Sequence, residues 1–290
     1  MKLKKNKVIE DKSVKITRSV VRVFLIVWTI TIIFPLVWSL FTSLKTNGEF
    51  MVSAWSLPKK LQWGNYKDAW VNSNFSKYFL NSLILSAGTV VLTVIMTVSS
   101  AYVVGKFVNP LVKFVGNFYA LFMMVPQILL TVPLYQLCND LKLIQDGPII
   151  LVTLMITNAI QGVPFYVFLV TPFMRGINNS VLEAAEIDGA NQFRIFAVLI
   201  IPMVIPAIFM VCLLSFVGIW NEYVMSITFI KSAKYYTLSV GLNEIMNDST
   251  VAQVVKFAAL ILTMIPILVV YAIFQKPLQE GLSSSDGVKG

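Results

Sequence analysis

The chain has 290 residues, of which 57% are hydrophobic and 13% are charged. Soluble domains carry about 25% charged residues, so this chain has too few polar side chains to cover a water-exposed surface. The net charge of +9 does not indicate nucleic-acid binding, because eight of the 23 basic residues lie in residues 1–22, directly before an apolar stretch.

Six stretches without a charged residue predict six transmembrane helices, since each has at least 19 residues and about 20 cross the hydrocarbon core of a bilayer. They are residues 23–44, 78–105, 114–139, 147–174, 195–221 and 257–275. The predicted fold is an all-α integral membrane protein. Its transmembrane domain, 23–276, lies between an N-terminal tail at 1–22 and a C-terminal tail at 277–290.

The placement of Lys and Arg predicts that both termini are cytoplasmic, because cytoplasmic loops of membrane proteins carry an excess of these residues. With the N-terminus inside, the cytoplasmic segments hold 14 basic residues and the outer segments hold nine. All four arginines then lie inside. We therefore expect a multi-pass protein in which the loop at 175–194 is cytoplasmic.

The loop between the fourth and fifth predicted helices contains signals for a short helix of its own. Ser180, followed three residues later by Glu183, predicts a capping box at the start of that helix. The pair Asp188-Gly189 predicts its end after roughly two turns. A second helix is expected to begin near Asn191 and to enter the membrane.

This loop also carries a motif. Glu183-Ala184-Ala185 is followed after three residues by Gly189, and after nine more by residues 199–202, which read Leu-Ile-Ile-Pro. The pattern resembles the EAA loop of binding-protein-dependent ABC importer permeases, with Leu199 and Ile201 where Ile and Leu are usual. Because both exchanges conserve volume, the motif is intact in spacing and nearly so in shape.

Other segments resemble the carbohydrate branch of that family. Residues 220–223, which read Trp-Asn-Glu-Tyr, are similar to the end of the fifth helix in sugar permeases. Residues 81–83, 237–242 and 287–290 also resemble the corresponding segments of that branch. The resemblance is closest to the maltose-type permease subunit and implies the MetI-like transmembrane fold.

The resemblance implies that the short helix is a coupling helix, which docks in a groove of a separate ATPase subunit. The residues implied in coupling are Glu183, Ala184, Ala185, Asp188, Gly189 and Pro202. The implied setting is a bacterial cytoplasmic membrane. The implied partners are a second, homologous permease, two ATPase subunits that bind ATP and Mg, and an extracellular protein that delivers a sugar or oligosaccharide.

ATP hydrolysis is not expected in this chain, because a Walker motif needs a Gly-rich loop that ends in Gly-Lys-Ser or Gly-Lys-Thr. Gly105-Lys106 is followed by Phe107 at a predicted membrane edge. We therefore expect a non-catalytic subunit that has no cofactor of its own.

Sugars are bound by aromatic faces and by amides and carboxylates that pair with hydroxyl groups. The candidate residues of the cargo pathway are Gln127, Asn158, Gln161, Trp220, Asn221, Glu222 and Tyr223. The alternative is that the polar residues join helices by hydrogen bonds and that the aromatic residues form an interfacial belt.

The last outer loop is the candidate contact with the binding protein, a role that follows from the resemblance. Its candidate residues are Tyr235, Tyr236, Glu244 and Asp248. The alternative for this loop is a solvated segment without a partner.

Three other functions stay open from the residues alone. An importer permease for an amino acid, polyamine or anion would share the loop motif. An ion-coupled secondary transporter is weakly disfavoured, because the predicted helices carry no charge within the membrane apart from Glu222 at the outer end of the fifth. A membrane enzyme is disfavoured because the chain contains no histidine.

Overall fold

The structure, a computed structural model, describes residues 12–145 and 147–286. Residues 1–11 of the predicted N-terminal tail and the motif at 287–290 therefore lie outside the described residues. The described part contains α-helices, two short 3₁₀ turns and one π-helical segment, and it contains no strand. In chain order the helices are α1 (Lys12–Ser43), α2 (Asn47–Val52), α3 (Gly64–Asn72), α4 (Phe75–Lys106), α5 (Pro110–Met123), α6 (Thr131–Asp140), α7 (Ile149–Gly176), α8 (Asn179–Ile187), α9 (Gln192–Arg194), α10 (Ile201–Met203), α11 (Ile205–Trp220), α12 (Val224–Phe229), α13 (Leu238–Asn247) and α14 (Gln253–Asp286).

Four described helices are long and apolar enough to cross a membrane, namely α1, α4, α7 and α14. Two bent pairs qualify as spans if each pair is counted as one, which gives up to six spans. The all-helical membrane fold predicted from the sequence is confirmed at this level. Helix α14 also continues to Asp286, through most of the residues assigned to the C-terminal tail.

The single helices predicted at 114–139 and 195–221 are wrong in shape, because the structure breaks both of them. The segment Pro110–Met123 meets Gln127–Asp140 at 95°, and Gln192–Met203 meets Ile205–Trp220 at 74°. Pro126 lies at the first break, and Pro206 is the second residue of the helix that follows the second break. Proline removes a backbone donor and clashes with the carbonyl four residues earlier, which explains why a helix ends there.

A close contact between α4 and α7 forms the centre of the bundle. A Cβ atom placed on Gly88 would lie 2.5 Å from Met155 Sδ, and one on Gly105 would lie 2.6 Å from Met174 Cβ. Small residues on α4 therefore let the two helices approach, as is common between membrane helices. Helix α11 packs on the same two helices, and α14 packs on α11 and α1.

The two ends of the bundle differ in structure. At one end, here the α8 end, α4 and α7 finish and α8 packs beside the π-helical segment. At the other, here the α2 end, the short helices α2, α3 and α13 surround the start of α4 and α14, and α12 packs against α6 and α7. Residues 17–37 of α1 are all exposed, so the described part of the bundle leaves most of this helix uncovered.

Candidate functional site

Helix α8 begins two residues earlier than the sequence suggested. Asn178 is its N-cap, and the side-chain oxygen of Asn178 accepts a hydrogen bond of 3.0 Å from the Ser180 amide. The predicted capping box of Ser180 and Glu183 is therefore wrong. Asn is as good an N-cap as Ser, and extended dihedral angles at Asn178 (φ −65°, ψ 131°) let the helix start at Asn179.

The end of α8 is a Schellman turn around Gly189, which confirms the predicted stop. Gly189 has φ +81°, a left-handed conformation that favours glycine. The Gly189 amide donates to the Glu186 carbonyl at 3.0 Å, and the Ala190 amide donates to the Ala185 carbonyl at 2.9 Å. These two bonds satisfy carbonyls that a helix terminus would otherwise leave open.

One face of α8 packs on the bundle and the other is open. Leu182 and Ala185 pack against the buried cluster formed by α4, α7 and the start of the fifth span. Glu183 and Ala184 are exposed, and Ile187 keeps 86% of its surface accessible. We call Glu183, Ala184 and Ile187 the α8 surface. It presents a carboxylate, a small residue and an apolar side chain on a nine-residue helix.

Three side chains from other elements fix the position of α8, and sequence reasoning missed all three. Lys106, the last residue of α4, donates from Nζ to the Ile177 carbonyl and to Asn179 Oδ1. The Tyr102 hydroxyl donates to Gln192 Oε1 at 3.0 Å, and Gln192 Nε2 donates to Glu186 Oε1 at 2.6 Å.

Asn191 and Pro202 define the path from the loop into the next span. Asn191 caps α9 through a hydrogen bond of 2.8 Å from the Arg194 amide to its side-chain oxygen, which confirms the helix start expected there. Pro202 is exposed and is the second residue of α10, which directly follows the π-helical segment Ile195–Ile200. It therefore stands just before the 74° bend rather than in the contact with α8.

A cavity of about 390 Å³ lies between α4, α7, α11, α12 and the 3₁₀ turn that follows Pro126. It brings together four of the seven candidate cargo residues, Gln127, Asn158, Gln161 and Glu222. Asn158 Nδ2 donates to the Leu154 carbonyl at 2.8 Å, and Gln127 Nε2 donates to the Gln161 carbonyl at 3.2 Å. The Gln127 bond joins the 3₁₀ turn to α7, whereas the Asn158 bond lies within α7, and both amides also line the cavity.

Glu222 makes its strongest contacts with α12. Its carboxylate accepts hydrogen bonds from the Met225 amide at 2.6 Å, the Ser226 amide at 2.9 Å and the Ser226 hydroxyl at 2.7 Å. A negative charge before the first turn of a helix is stabilised by these amides and by the helix dipole. The one acidic side chain of the cavity wall is therefore already paired within the protein.

The other three candidates of this segment lie outside the cavity. Trp220 is 1% exposed, is packed between Phe79 and Phe216, and donates from Nε1 to the Thr263 carbonyl. Asn221 donates back to the Val217 carbonyl, and Tyr223 accepts a hydrogen bond from Asn243. Their assignment to the cargo pathway stays a prediction that the cavity geometry does not support.

The candidates of the last outer loop are divided between different places at the α2 end. Glu244 and Asp248 line a cavity of about 670 Å³ together with Asp68 and Tyr78. Tyr235 instead lines a separate cavity of about 240 Å³, next to Ile230, and the Tyr236 carbonyl accepts a hydrogen bond from Asn81. The acidic pair and the tyrosine pair therefore do not form one patch.

Comparison with known proteins assigns the chain to a protein family. Residues 101–284 match the family described as "Binding-protein-dependent transport system inner membrane component". The chain belongs to this family. It is therefore a multi-pass membrane component of a transport system, and the family resemblance seen in the loop motif is confirmed.

Two relatives and one solved structure show how far the likeness extends. The chain is 30% identical to the diacetylchitobiose uptake system permease protein NgcG of Streptomyces coelicolor, over 89% of this chain and 85% of the relative. It is 30% identical to the melibiose/raffinose/stachyose import permease protein MelC of Bacillus subtilis, over 86% and 88%. A bacterial ABC transporter that imports the acidic polysaccharide alginate matches with a TM-score of 0.81 and 21% identity, over 92% of this chain and 98% of that one. The last match shows the fold.

Proposed function

We propose that this chain is the permease subunit of an ATP-driven importer in a bacterial cytoplasmic membrane, and that its cargo is a sugar or oligosaccharide delivered by an extracellular binding protein. The observation that carries the proposal is helix α8, which bears the Glu-Ala-Ala motif and exposes the α8 surface. The left-handed turn at Gly189 follows the helix. The sugar cargo is supported by the two sugar permeases that share 30% of their residues with this chain.

In this proposal α8 is a coupling helix that docks in a groove of a cytoplasmic ATPase subunit, which supplies ATP and Mg. The small side chain of Ala184 permits close approach, and Glu183 offers an exposed carboxylate to a basic residue of the ATPase. The side chain of Ile187, which is 86% exposed in the chain alone, adds an apolar contact with the ATPase. Such a surface transmits a rigid-body motion of the ATPase pair to the bundle.

The orientation follows from the same assignment. The α8 end faces the cytoplasm, as the excess of Lys and Arg in the segments at that end also predicts. The α2 end then faces outward, and the cavity lined by Glu244 and Asp248 is available to the binding protein. Both chain termini belong to the cytoplasmic side in this arrangement.

The cavity that contains Gln127, Asn158 and Gln161 is this subunit's share of the cargo pathway. Amides suit sugar hydroxyls because each can donate and accept a hydrogen bond. The wall of the cavity also includes Phe165 and Tyr166, whose rings can pack on a sugar face. A second, homologous permease subunit closes the pathway from the other side.

Affinity purification from the native membrane tests the proposal. Wild-type chain is expected to bring along an ATPase whose activity rises with one sugar-loaded binding protein. Ala184→Arg places a bulky charge on the α8 surface and is expected to lose the ATPase, whereas Asn247→Arg, a matched exposed change at the α2 end, keeps it.

Two results would overturn parts of the proposal. Stimulation by a binding protein loaded with an amino acid, polyamine or anion, and by no sugar-loaded one, would replace the cargo. A chain that elutes without an ATPase and still moves solute into vesicles, sensitive to an uncoupler, would indicate an ion-coupled transporter instead.

A further inference from the structure

The segment between α1 and α3 is an ordered loop that is closed at its base. The Gln62 amide donates to the Leu44 carbonyl at 2.9 Å, and Asn65 Nδ2 donates to the carbonyls of Ser43 and Lys45, both at 2.8 Å. Within the loop, Glu49 accepts hydrogen bonds from the amides of Thr46 and Lys59. These bonds define the conformation of residues 45–62 independently of any partner.

The loop folds back along α1 instead of extending away from the bundle. Trp38 Nε1 and Lys45 Nζ both donate to the Ala54 carbonyl, at 3.1 and 2.7 Å. The ring of Trp55 lies 5.4 Å from that of Trp38 and 6.2 Å from that of Phe34. At a rise of 1.5 Å per residue, Trp38 lies about 8 Å and Phe34 about 13 Å before the end of α1 at Ser43.

This depth places the loop at the membrane boundary. The apolar span of α1, Thr17–Ser43, has 27 residues and is about 40 Å long, whereas the hydrocarbon core of a bilayer is about 30 Å thick. A span about 10 Å longer than the core extends into the headgroup layer. With this excess at the α2 end, the last turns of α1 lie in that layer and Trp55, which packs on the preceding turns, lies where headgroups and hydrocarbon meet.

The loop exposes large apolar side chains to its surroundings, although its own hydrogen bonds hold its conformation. Six large apolar side chains of residues 47–63 are between 52% and 89% exposed: Met51, Val52, Trp55, Leu57, Leu61 and Trp63. Trp55 extends the exposed apolar surface of α1, since it stacks on side chains of that helix. Amphipathic Trp rings are enriched at this depth of a bilayer.

The charges of the loop complement phospholipid phosphates. The three charged residues of the segment 47–63 are Glu49, Lys59 and Lys60, and Glu49 is engaged by the loop's own donors. The lysines flank the apolar side chains, and long lysine side chains can reach from an apolar surface to the headgroup level.

We propose that residues 47–63 form an interfacial anchor, whose apolar side chains enter the headgroup layer at the α2 end and whose Lys59 and Lys60 bind phospholipid phosphates. The anchor fixes the outer end of α1, which otherwise contacts mainly α14. It depends on the membrane span of α1 and not on the cargo, so it stands even if the proposed importer function fails.

A nitroxide at Val52 tests the anchor in the assembled transporter in phospholipid nanodiscs, with Cys138 and Cys212 replaced by Ala. Its accessibility to oxygen relative to a water-soluble nickel chelate is expected to be several times that of a nitroxide at exposed Gln253, at the same end. Equal ratios at the two positions would place the loop in water and overturn the proposal. A Val52 label that neither reagent reaches, with or without an added binding protein, would mean that protein and not lipid covers the loop. This result would also overturn the proposal.

The lysine contacts are tested in the same labelled protein. Lys59→Glu with Lys60→Glu is expected to lower the Val52 ratio, because carboxylates are repelled by phosphates. Lys67→Glu with Lys77→Glu makes the same change in charge at exposed positions outside the loop and is expected to leave the ratio unchanged. An equal response to both double variants would overturn the assignment of Lys59 and Lys60.

Discussion

Gln192 Nε2 donates a hydrogen bond of 2.6 Å to Glu186 Oε1, which joins the first turn of α9 to α8. The Gln192 oxygen accepts the Tyr102 hydroxyl at 3.0 Å, so a single side chain connects α8 to α4 as well. A rotation of α8 must therefore move the end of α4 or break this chain of hydrogen bonds.

Gln192→Leu is expected to lower binding-protein-stimulated ATP hydrolysis by the assembled transporter about 2- to 10-fold, the equivalent of about 0.5–1.5 kcal/mol for a hydrogen bond. Gln253→Leu, a change at an exposed glutamine that begins α14 at the other end, is the control. If Tyr102 acts through Gln192, adding Tyr102→Phe to Gln192→Leu costs nothing further. Additive losses would contradict a connected chain.

Gly189 isolates the contribution of backbone conformation, because a Cβ atom there would meet no atom within 4 Å. Gly189→Ala is therefore expected to cost about 1–2 kcal/mol of strain at φ +81° without any clash. Gly189→Asn should cost less, since Asn tolerates the left-handed region. The measurement is thermal unfolding together with co-purification of the ATPase.

Gly176→Ala is the matched control for this series. Gly176 ends α7, has equally open space around it and lacks the positive φ, so alanine there should be neutral or stabilising. Equal losses from Gly176→Ala and Gly189→Ala would show that the left-handed turn is not the cause.

The sequence predicts helix ends better than helix breaks, and proline shows why. Pro35, Pro164 and Pro172 lie inside continuous helices, whereas Pro126 and Pro206 lie at breaks. All five remove a backbone donor. Whether the helix continues depends on neighbours that satisfy the freed carbonyl, and these neighbours are distant in the sequence.

The same limit applies to the site. Asn158 and Gln161 are three residues apart on one helix, so their shared face was predictable. Trp220 and Glu222 are two residues apart and project to different sides, which places one in the core and the other at the cavity. Tyr102 and Gln192 are separated by 90 residues, and neither carries a motif that would pair them.

Glu222 is expected to contribute mainly to the folding stability of the protein and not to cargo binding. Glu222→Ala removes the acceptor for two amides and a hydroxyl at the start of α12, at a cost of about 1–2 kcal/mol by analogy with lost helix caps. Thermal unfolding without cargo measures this loss, and Glu244→Ala, at an exposed carboxylate on α13, is the control. An unchanged melting temperature with a large loss of uptake would instead assign Glu222 to the cargo.

The loop at 45–62 is expected to loosen in acid because of Glu49. A hydrogen bond from the Thr46 amide, together with those from the Lys59 amide and the Thr46 hydroxyl and the nearby Lys59 charge, holds the pKa of Glu49 below its ordinary value. The folded loop is therefore stabilised above the unfolded pKa of about 4.3, and this stabilisation is lost as the pH falls through the lower folded pKa.

The mobility of a nitroxide at Val52, followed from neutral pH downward, measures this transition. Wild-type protein is expected to show a rise in mobility that begins only below about pH 4.3. Glu49→Gln cannot titrate and retains one acceptor oxygen, so its mobility should be higher at neutral pH and constant with pH. Asp140→Asn, at an exposed carboxylate outside the loop, should follow the wild-type curve. A Glu49→Gln curve that still rises in acid would show that another group controls the loop, because the only titrating side chain that joins Thr46 to Lys59 would be gone.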